Sequence, residues 1–146
     1  MKILQLTPNL MVKDVALSTT FYATLFEMEI QYMIREHGEN ATEFDTKVET
    51  GITYQYAGLI KDGFRIGLQE TDSILNDVKE ISLKTPGKFS GNLYLEVEYL
   101  EKIKSHLEKV NFRELTTTWY GMKEIYFTDP DGYVICVAQK DANFEM

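Results

Sequence analysis

One cysteine, one tryptophan, two histidines and three prolines stand among 146 residues, and positive charge is scarce. The single cysteine, Cys136, allows no internal disulfide. The fold must therefore hold by its core, and a reducing, cytoplasmic setting is expected. Lys and Arg total 15 against 23 Asp and Glu, a formal charge of −8. A surface that reads phosphates needs clustered positive side chains, so nucleic acid and anionic membranes are not expected partners. No apolar run approaches the length of a membrane span, and the apolar patch in Met1–Gln5 is far too short for a signal-peptide core. What is present is an ordinary soluble composition, 44% hydrophobic, with 12% aromatic residues weighted to Tyr and Phe. That length suffices for one well-buried domain or two small modules sharing a core.

The most legible stretch is Trp119–Ala138, WYGMKEIYFTDPDGYVICVA. Two β-type runs, Met122–Thr128 and Tyr133–Ala138, flank Pro130-Asp131-Gly132, whose chemistry suits a three-residue hairpin loop. Pairing Asp129 with Tyr133 puts Glu124, Tyr126, Thr128, Val134, Cys136 and Ala138 on one face. Ile125, Phe127, Tyr133, Ile135 and Val137 fall on the other, which must be covered.

Upstream, the same order occurs twice. Ile3–Val12 alternates as a strand, with Pro8 marking an edge or bulge, and Asp14 caps a helix running to about Phe26. Leu17, Phe21 and Leu25 make its stripe, with Tyr22 and Phe26 beside them. Glu29–Arg35 is a second strand, and the polar Gly38–Gly51 stretch a long loop. Ile52–Ile60 and Phe64–Glu70 form a hairpin around Lys61-Asp62-Gly63. Residues 73–90 carry a short helical suggestion and act as a linker. Leu93–Val97 then starts a second series, followed by a helix with Leu100, Ile103, Leu107 and Val110 on one stripe. Phe112–Trp119 and the closing hairpin complete it. Each half is strand, helix, then three strands, a duplicated βαβββ unit. The expected fold is α+β, one domain over 1–146. Its modules span 1–72 and 91–146, with helices outside and curled sheets around a shared cleft.

Two segments carry a family resemblance. The opening PNLMVKDVALSTTFYATLF and the closing YFTDPDGYVICVAQ resemble the strand-to-helix start and the DPDG hairpin of the vicinal-oxygen-chelate superfamily. That superfamily includes glyoxalase I, extradiol dioxygenases, fosfomycin-resistance enzymes and bleomycin-resistance binding proteins, so the resemblance implies a fold more firmly than an activity. Metal-dependent members hold a divalent ion from four slots, commonly His or Gln at the two strand starts and Glu late in each half. Carried onto this chain, the slots fall on Thr7, Gly67, Asn92 and Cys136. A hydroxyl, no side chain, an amide and a lone thiol do not make a hard-cation site. His37, beside the loop, and His106, within the second helix, do not supply the missing donors. No metal and no other cofactor is expected.

Alternation directs Gln5, Thr7, Asn9, Arg65, Gln69, Asn92, Tyr94, Glu96, Glu124, Tyr126 and Cys136 into the cleft. Gln55, Ala57 and Leu59 join them if the first hairpin has the geometry of the second. Tyr126 and Tyr94 are the leading ligand contacts, Glu96 and Glu124 could neutralise a cation or pair with Arg65, and Trp119 walls the pocket or sits in the core. Cys136 is read as buried filler, since no histidine stands ready to activate it. Ring faces with scattered polar groups suit a planar, amphipathic, aromatic or cationic ligand. The leading expectation is a metal-free small-molecule binder of the bleomycin-resistance type, drug sequestration being one role, acting as a homodimer. The alternatives are an enzyme of the same superfamily, a lyase, isomerase or dioxygenase with a rearranged metal site or an acid–base catalyst using Glu96 or Glu124, and an interaction module with a vestigial pocket.

Overall fold

The computed structural model describes residues 1–36 and 44–144. The chain divides into two compact units, Met1–Lys88 and Phe89–Met146. His37 and the start of the expected Gly38–Gly51 loop lie outside the described residues.

In the first unit, β1 (Asn9–Val12) leads into α1 (Val15–Leu25), β2 (Glu29–Arg35), the two-residue β3 (Phe44–Asp45), β4 (Tyr54–Lys61), β5 (Phe64–Glu70) and α2 (Thr71–Asp77). The sheet order is β1-β5-β4-β2-β3, with β1 parallel to β5 and the other pairs antiparallel. In the second unit, β6 (Leu93–Glu96), α3 (Leu100–Ser105), β7 (Arg113–Leu115), β8 (Met122–Thr128) and β9 (Val134–Lys140) follow. Their order is β6-β9-β8-β7, again with the first strand parallel to the last. The second unit is thus a βαβββ series, and the first is the same series with α2 at its end and the short β3 added at the sheet edge, inside the stretch expected to be a loop; the architecture is α+β. Corresponding registers agree: Asn9 lies opposite Gly67, and Tyr94 opposite Cys136.

Local chemistry explains the elements. Asp14 caps α1 by accepting the Leu17 amide at 3.1 Å, satisfying a donor that the first turn leaves open. The buried stripe of α1 is Val15, Ser18, Thr19, Tyr22 and Leu25. It is rotated from the expected one, because Leu17 is 56% exposed. Val12, Met33, Tyr54, Ala57, Leu59, Ile66 and Leu68 are among the other buried residues of this unit's core. The strand expected from Ile3 starts only at Asn9, and Ile3, Leu4 and Leu6 are exposed. The expected linker, 73–90, starts inside α2, which begins at Thr71 and is capped by Glu70, whose carboxylate accepts the Ser73 amide at 3.1 Å.

The second helix is shorter than its stripe suggests. Beyond Ser105 the bonds become i to i−3, as from Leu107 to Lys104 and Val110 to Leu107. The tightening still buries Leu107 with Leu100 and Ile103. The apolar face of β8 and β9 is covered as expected, with Ile125, Ile135 and Val137 fully buried. Its loop closes as the sequence predicts: the Asp129 amide donates to the Tyr133 carbonyl at 3.0 Å, and Gly132 takes φ of 101°. Asp129 Oδ1 also accepts the amides of Asp131, Gly132 and Tyr133 at 2.9, 3.0 and 3.0 Å.

Candidate functional site

In the second unit, Glu124 on β8 is a carboxylate with 0% of its surface exposed. Its companions are phenols. Tyr94 of β6 donates its hydroxyl to Oε2 at 2.6 Å. Tyr120, from the turn before β8, reaches Oε1 and Oε2 at 2.7 and 2.8 Å. The Tyr126 hydroxyl stands 3.5 Å from Oε1, at the outer limit of such a bond. No Lys or Arg pairs with Glu124 among the described residues. Two hydroxyls at close hydrogen-bond distance, Tyr94 and Tyr120, therefore hold a buried carboxylate that meets no cation among the described residues, and these bonds offset part of its desolvation.

The same packing shifts the phenols. Burial, then the neighbouring Glu124, pushes the Tyr94 hydroxyl above the usual phenol range. The Tyr126 hydroxyl, bonded to the Cys136 thiol and partly buried, is pushed up to about 12. The bond to Glu124 raises Tyr120. Burial raises Cys136, so its sulfur stays a thiol, a poor nucleophile and a poor metal ligand.

The rings remain reachable although their hydroxyls are engaged. Tyr94 is 49% exposed, Tyr120 40% and Trp119 87%. Trp119 meets Tyr120 edge to face, centroids 5.2 Å apart. The Arg113 guanidinium lies 4.6 Å above the Tyr126 ring, so this face already accepts a cation.

The corresponding face of the first unit is filled instead. Tyr56 lies opposite Gln69, and Gly58 opposite Gly67. A Cβ on Gly58 would meet Tyr32 Cζ at 2.9 Å, and one on Gly67 would meet Asn9 Oδ1 at 2.5 Å as well as the Tyr56 hydroxyl. Tyr32 and Tyr56 stack at 5.9 Å over these two glycines. Burial, then Tyr32, pushes the Tyr56 hydroxyl up to about 12. Gln69 accepts from Asn9 at 3.0 Å and donates to Ser73 Oγ and Asp77 Oδ2 at 2.9 and 2.8 Å.

One expectation about this face is corrected. Gln55, Ala57 and Leu59 do not share the side of Gly67 and Gln69; Ala57 and Leu59 pair with Leu68 and Ile66 in the core. The reason is the turn. Lys61 pairs with Phe64, so only Asp62 and Gly63 are in the loop, both at positive φ, 50° and 81°. A two-residue turn reverses the side-chain parity that a three-residue loop would give. Tyr56 thereby takes the place expected for its neighbours. The Asp-Gly dipeptide is the signal that would have found it.

Of the other sequence-derived residues, Thr7, Arg65 and Asn92 are exposed. Glu96 lies 4.0 Å from Lys140. His106 is exposed at the end of α3. Tyr94, Glu124, Tyr126 and Cys136 come together, with Trp119 close by through Tyr120. Arg113 and Tyr120 join them without having been singled out, because a loop residue and an edge residue have no period to betray them. The four family metal slots do not fit an ion. The Gly67 position is taken by Tyr56 and Asn9, Cys136 is a buried thiol, and Thr7 and Asn92 offer neutral oxygens at the surface.

Fold and site together define a protein built of paired βαβββ units with an aromatic, carboxylate-backed face. Residues 2–137 match the model of the Glyoxalase/Bleomycin resistance protein/Dioxygenase superfamily, and the chain belongs to that superfamily. Comparison with curated proteins gives no match. Among solved structures, a virulence protein of Salmonella typhimurium aligns over 96% of this chain and 99% of its own, at 20% identity and TM-score 0.62. The fosfomycin resistance protein FosX of Listeria monocytogenes aligns over 97% and 95%, at 16% identity and TM-score 0.62. A lactoylglutathione lyase of Agrobacterium tumefaciens aligns over 94% and 92%, at 12% identity and TM-score 0.61. Such identities speak for a common fold.

Proposed function

We propose that this protein binds a small aromatic or cationic molecule without a metal ion and without catalysing its conversion. The observation that carries this reading is Glu124, a buried carboxylate held by tyrosine hydroxyls whose rings stay exposed. The hydroxyls stabilise the charge but do not cancel it. A cation resting on the rings would feel both their faces and the carboxylate behind them. At ~7 Å and an effective dielectric constant of ~20, that attraction is about 2 kcal/mol, enough for more than tenfold in affinity. Trp119 and Tyr120 would supply the flat apolar area that an aromatic ligand needs. Sequestration of a drug, as the superfamily's bleomycin-resistance members suggest, is the physiological role this chemistry suits. A homodimer and a cytoplasmic location accompany the reading; the exposed Ile3, Leu4 and Leu6 and the lone buried thiol support them.

One observation favours an enzymatic alternative: a buried carboxylate 2.6 Å from the Tyr94 hydroxyl is a reasonable acid–base pair. Thermal-shift and calorimetric titrations of chelator-treated protein with benzyltrimethylammonium and benzenesulfonate, with bleomycin as a larger cation, test the binder. The cations are expected to raise the melting temperature and the sulfonate to leave it unchanged. Binding that appears only after a divalent ion is restored, or no response to any cation, would overturn this function.

A further inference from the structure

We propose that the segment following β9, Asp141–Phe144, is a clasp that fixes the Thr117–Gly121 turn and so sets Trp119 and Tyr120 beside Glu124. β9 makes its last sheet pair at Lys140, opposite Met122. The chain then crosses to the turn. The Asp141 amide donates to the Gly121 carbonyl at 2.9 Å, and Asp141 Oδ2 accepts the Thr117 hydroxyl at 2.9 Å. Asp141 is itself braced, its Oδ1 accepting the Asn143 amide at 3.0 Å and its carbonyl the Phe144 amide at 3.1 Å. That bracing lays the Phe144 ring against Gly121, in the space a Cβ would need. Gly121 has φ of 84°, so the position demands glycine twice, by conformation and by contact.

The turn is gripped at both ends. Thr118 donates its amide to the Met122 carbonyl at 2.8 Å and accepts the Met122 amide on Oγ1 at 2.9 Å, while the Gly121 amide donates to the Thr118 carbonyl at 3.0 Å. Between these ties stand only Trp119 and Tyr120. With 87% of its surface exposed, Trp119 has little packing of its own to hold it, and its orientation follows from the backbone beneath. Tyr120 reaches Glu124 only while that backbone is fixed. Asp141 and Phe144 are therefore positioning residues: they touch no ligand on this reading but preorganise two aromatic contacts. The consequence for binding rests on the function proposed above; the clasp itself does not.

Trp119 is the sole tryptophan, so intrinsic fluorescence anisotropy and the indole near-ultraviolet dichroism report this turn directly. In Asp141→Ala, Phe144→Ala and the double variant, the anisotropy and the indole dichroic band are expected to fall while the far-ultraviolet spectrum stays native. Asp141→Asn, which keeps one acceptor oxygen and can donate its NH2 to the Thr117 hydroxyl, and Phe144→Tyr, which keeps the ring, are expected to retain both signals. Benzyltrimethylammonium affinity is expected to fall about tenfold in the double variant, the cost of ordering two free side chains on binding. A folded double variant with unchanged Trp119 signals would overturn the clasp. If the double variant does not fold, the single variants decide it by the same signals. Absence of binding by the wild type overturns the ligand reading instead, and the Trp119 signals still decide the clasp.

Discussion

Glu124 concentrates the chemistry of the second unit in one side chain. Replacing it by Gln keeps one oxygen for the tyrosines but removes the charge that strengthens each bond, and it turns an amide donor toward hydroxyls that also donate. Glu124→Gln is expected to lower stability by about 1–2 kcal/mol and to weaken a cationic ligand tenfold or more. Denaturant melts and calorimetry measure the two effects. The phenols give a second expectation. Tyr126 and Tyr56 hold their protons to about 12 in the folded chain, against an ordinary value of 10.0. A raised folded-state value contributes stability that is whole below pH 10 and is lost as pH rises through about 12. Tyrosinate absorbance followed with far-ultraviolet dichroism should show the last phenols ionising as the fold melts. The Glu124, Tyr126 and Cys136 face was readable because strand alternation has a period of two. Arg113 and Tyr120 were not: their approach to Tyr126 and Glu124 depends on strand pairing and turn shape, which no periodicity encodes.

Among the elements, the two hairpins show how far turn chemistry reaches. The Asp129–Tyr133 loop was legible from Pro-Asp-Gly, and its register follows from three amides converging on one carboxylate oxygen. Asp129→Ala is expected to cost about 2 kcal/mol by thermal melt, since it strips those amides of their common acceptor while the Asp129 position stays buried. The Asp62-Gly63 turn is one residue shorter and exchanges the faces of β4, placing Tyr56 where Gln55 and Ala57 were expected. Gly67→Ala should then push Tyr56 and Asn9 aside, costing about 1–3 kcal/mol. In α1 the shift of the buried stripe leaves Thr19 Oγ1 buried and, among the described residues, without a hydrogen-bond partner. Thr19→Val, nearly the same shape, should stabilise the protein by about 1 kcal/mol, because an unmet hydroxyl is removed from the core. A fall in melting temperature would show that the hydroxyl has a partner after all.

Taken whole, the molecule repeats one topology twice with different interiors. The order of the main strands and helices was legible in both halves, since each hydrophobic period survives even where helix and strand ends do not; the two-residue β3 was not, being too short to carry a period. Identity between the halves is weak, and the faces have diverged to match. In the first unit Tyr32 and Tyr56 fill the hollows left by Gly58 and Gly67. In the second, the strand registers put Arg113 at the place of Tyr32, Tyr126 at that of Gly58 and Glu124 at that of Tyr56, and the aromatic surface is left accessible. Superfamily membership alone spans lyases, dioxygenases and binders, and the proposal of a binder rests on the donor chemistry of the four slots and on the tyrosine-held carboxylate. Among the described residues, no helix is long and apolar enough to cross a membrane.

The most direct measurement is an NMR titration of the chelator-treated protein with benzyltrimethylammonium, reading the ring protons of the tyrosines and the indole of Trp119. Saturable shifts centred on Trp119, Tyr94, Tyr120 and Tyr126, lost in Glu124→Gln, are the predicted result. Shifts centred on Tyr32 and Tyr56, or shifts that survive in Glu124→Gln unchanged, would contradict a ligand site built around this carboxylate.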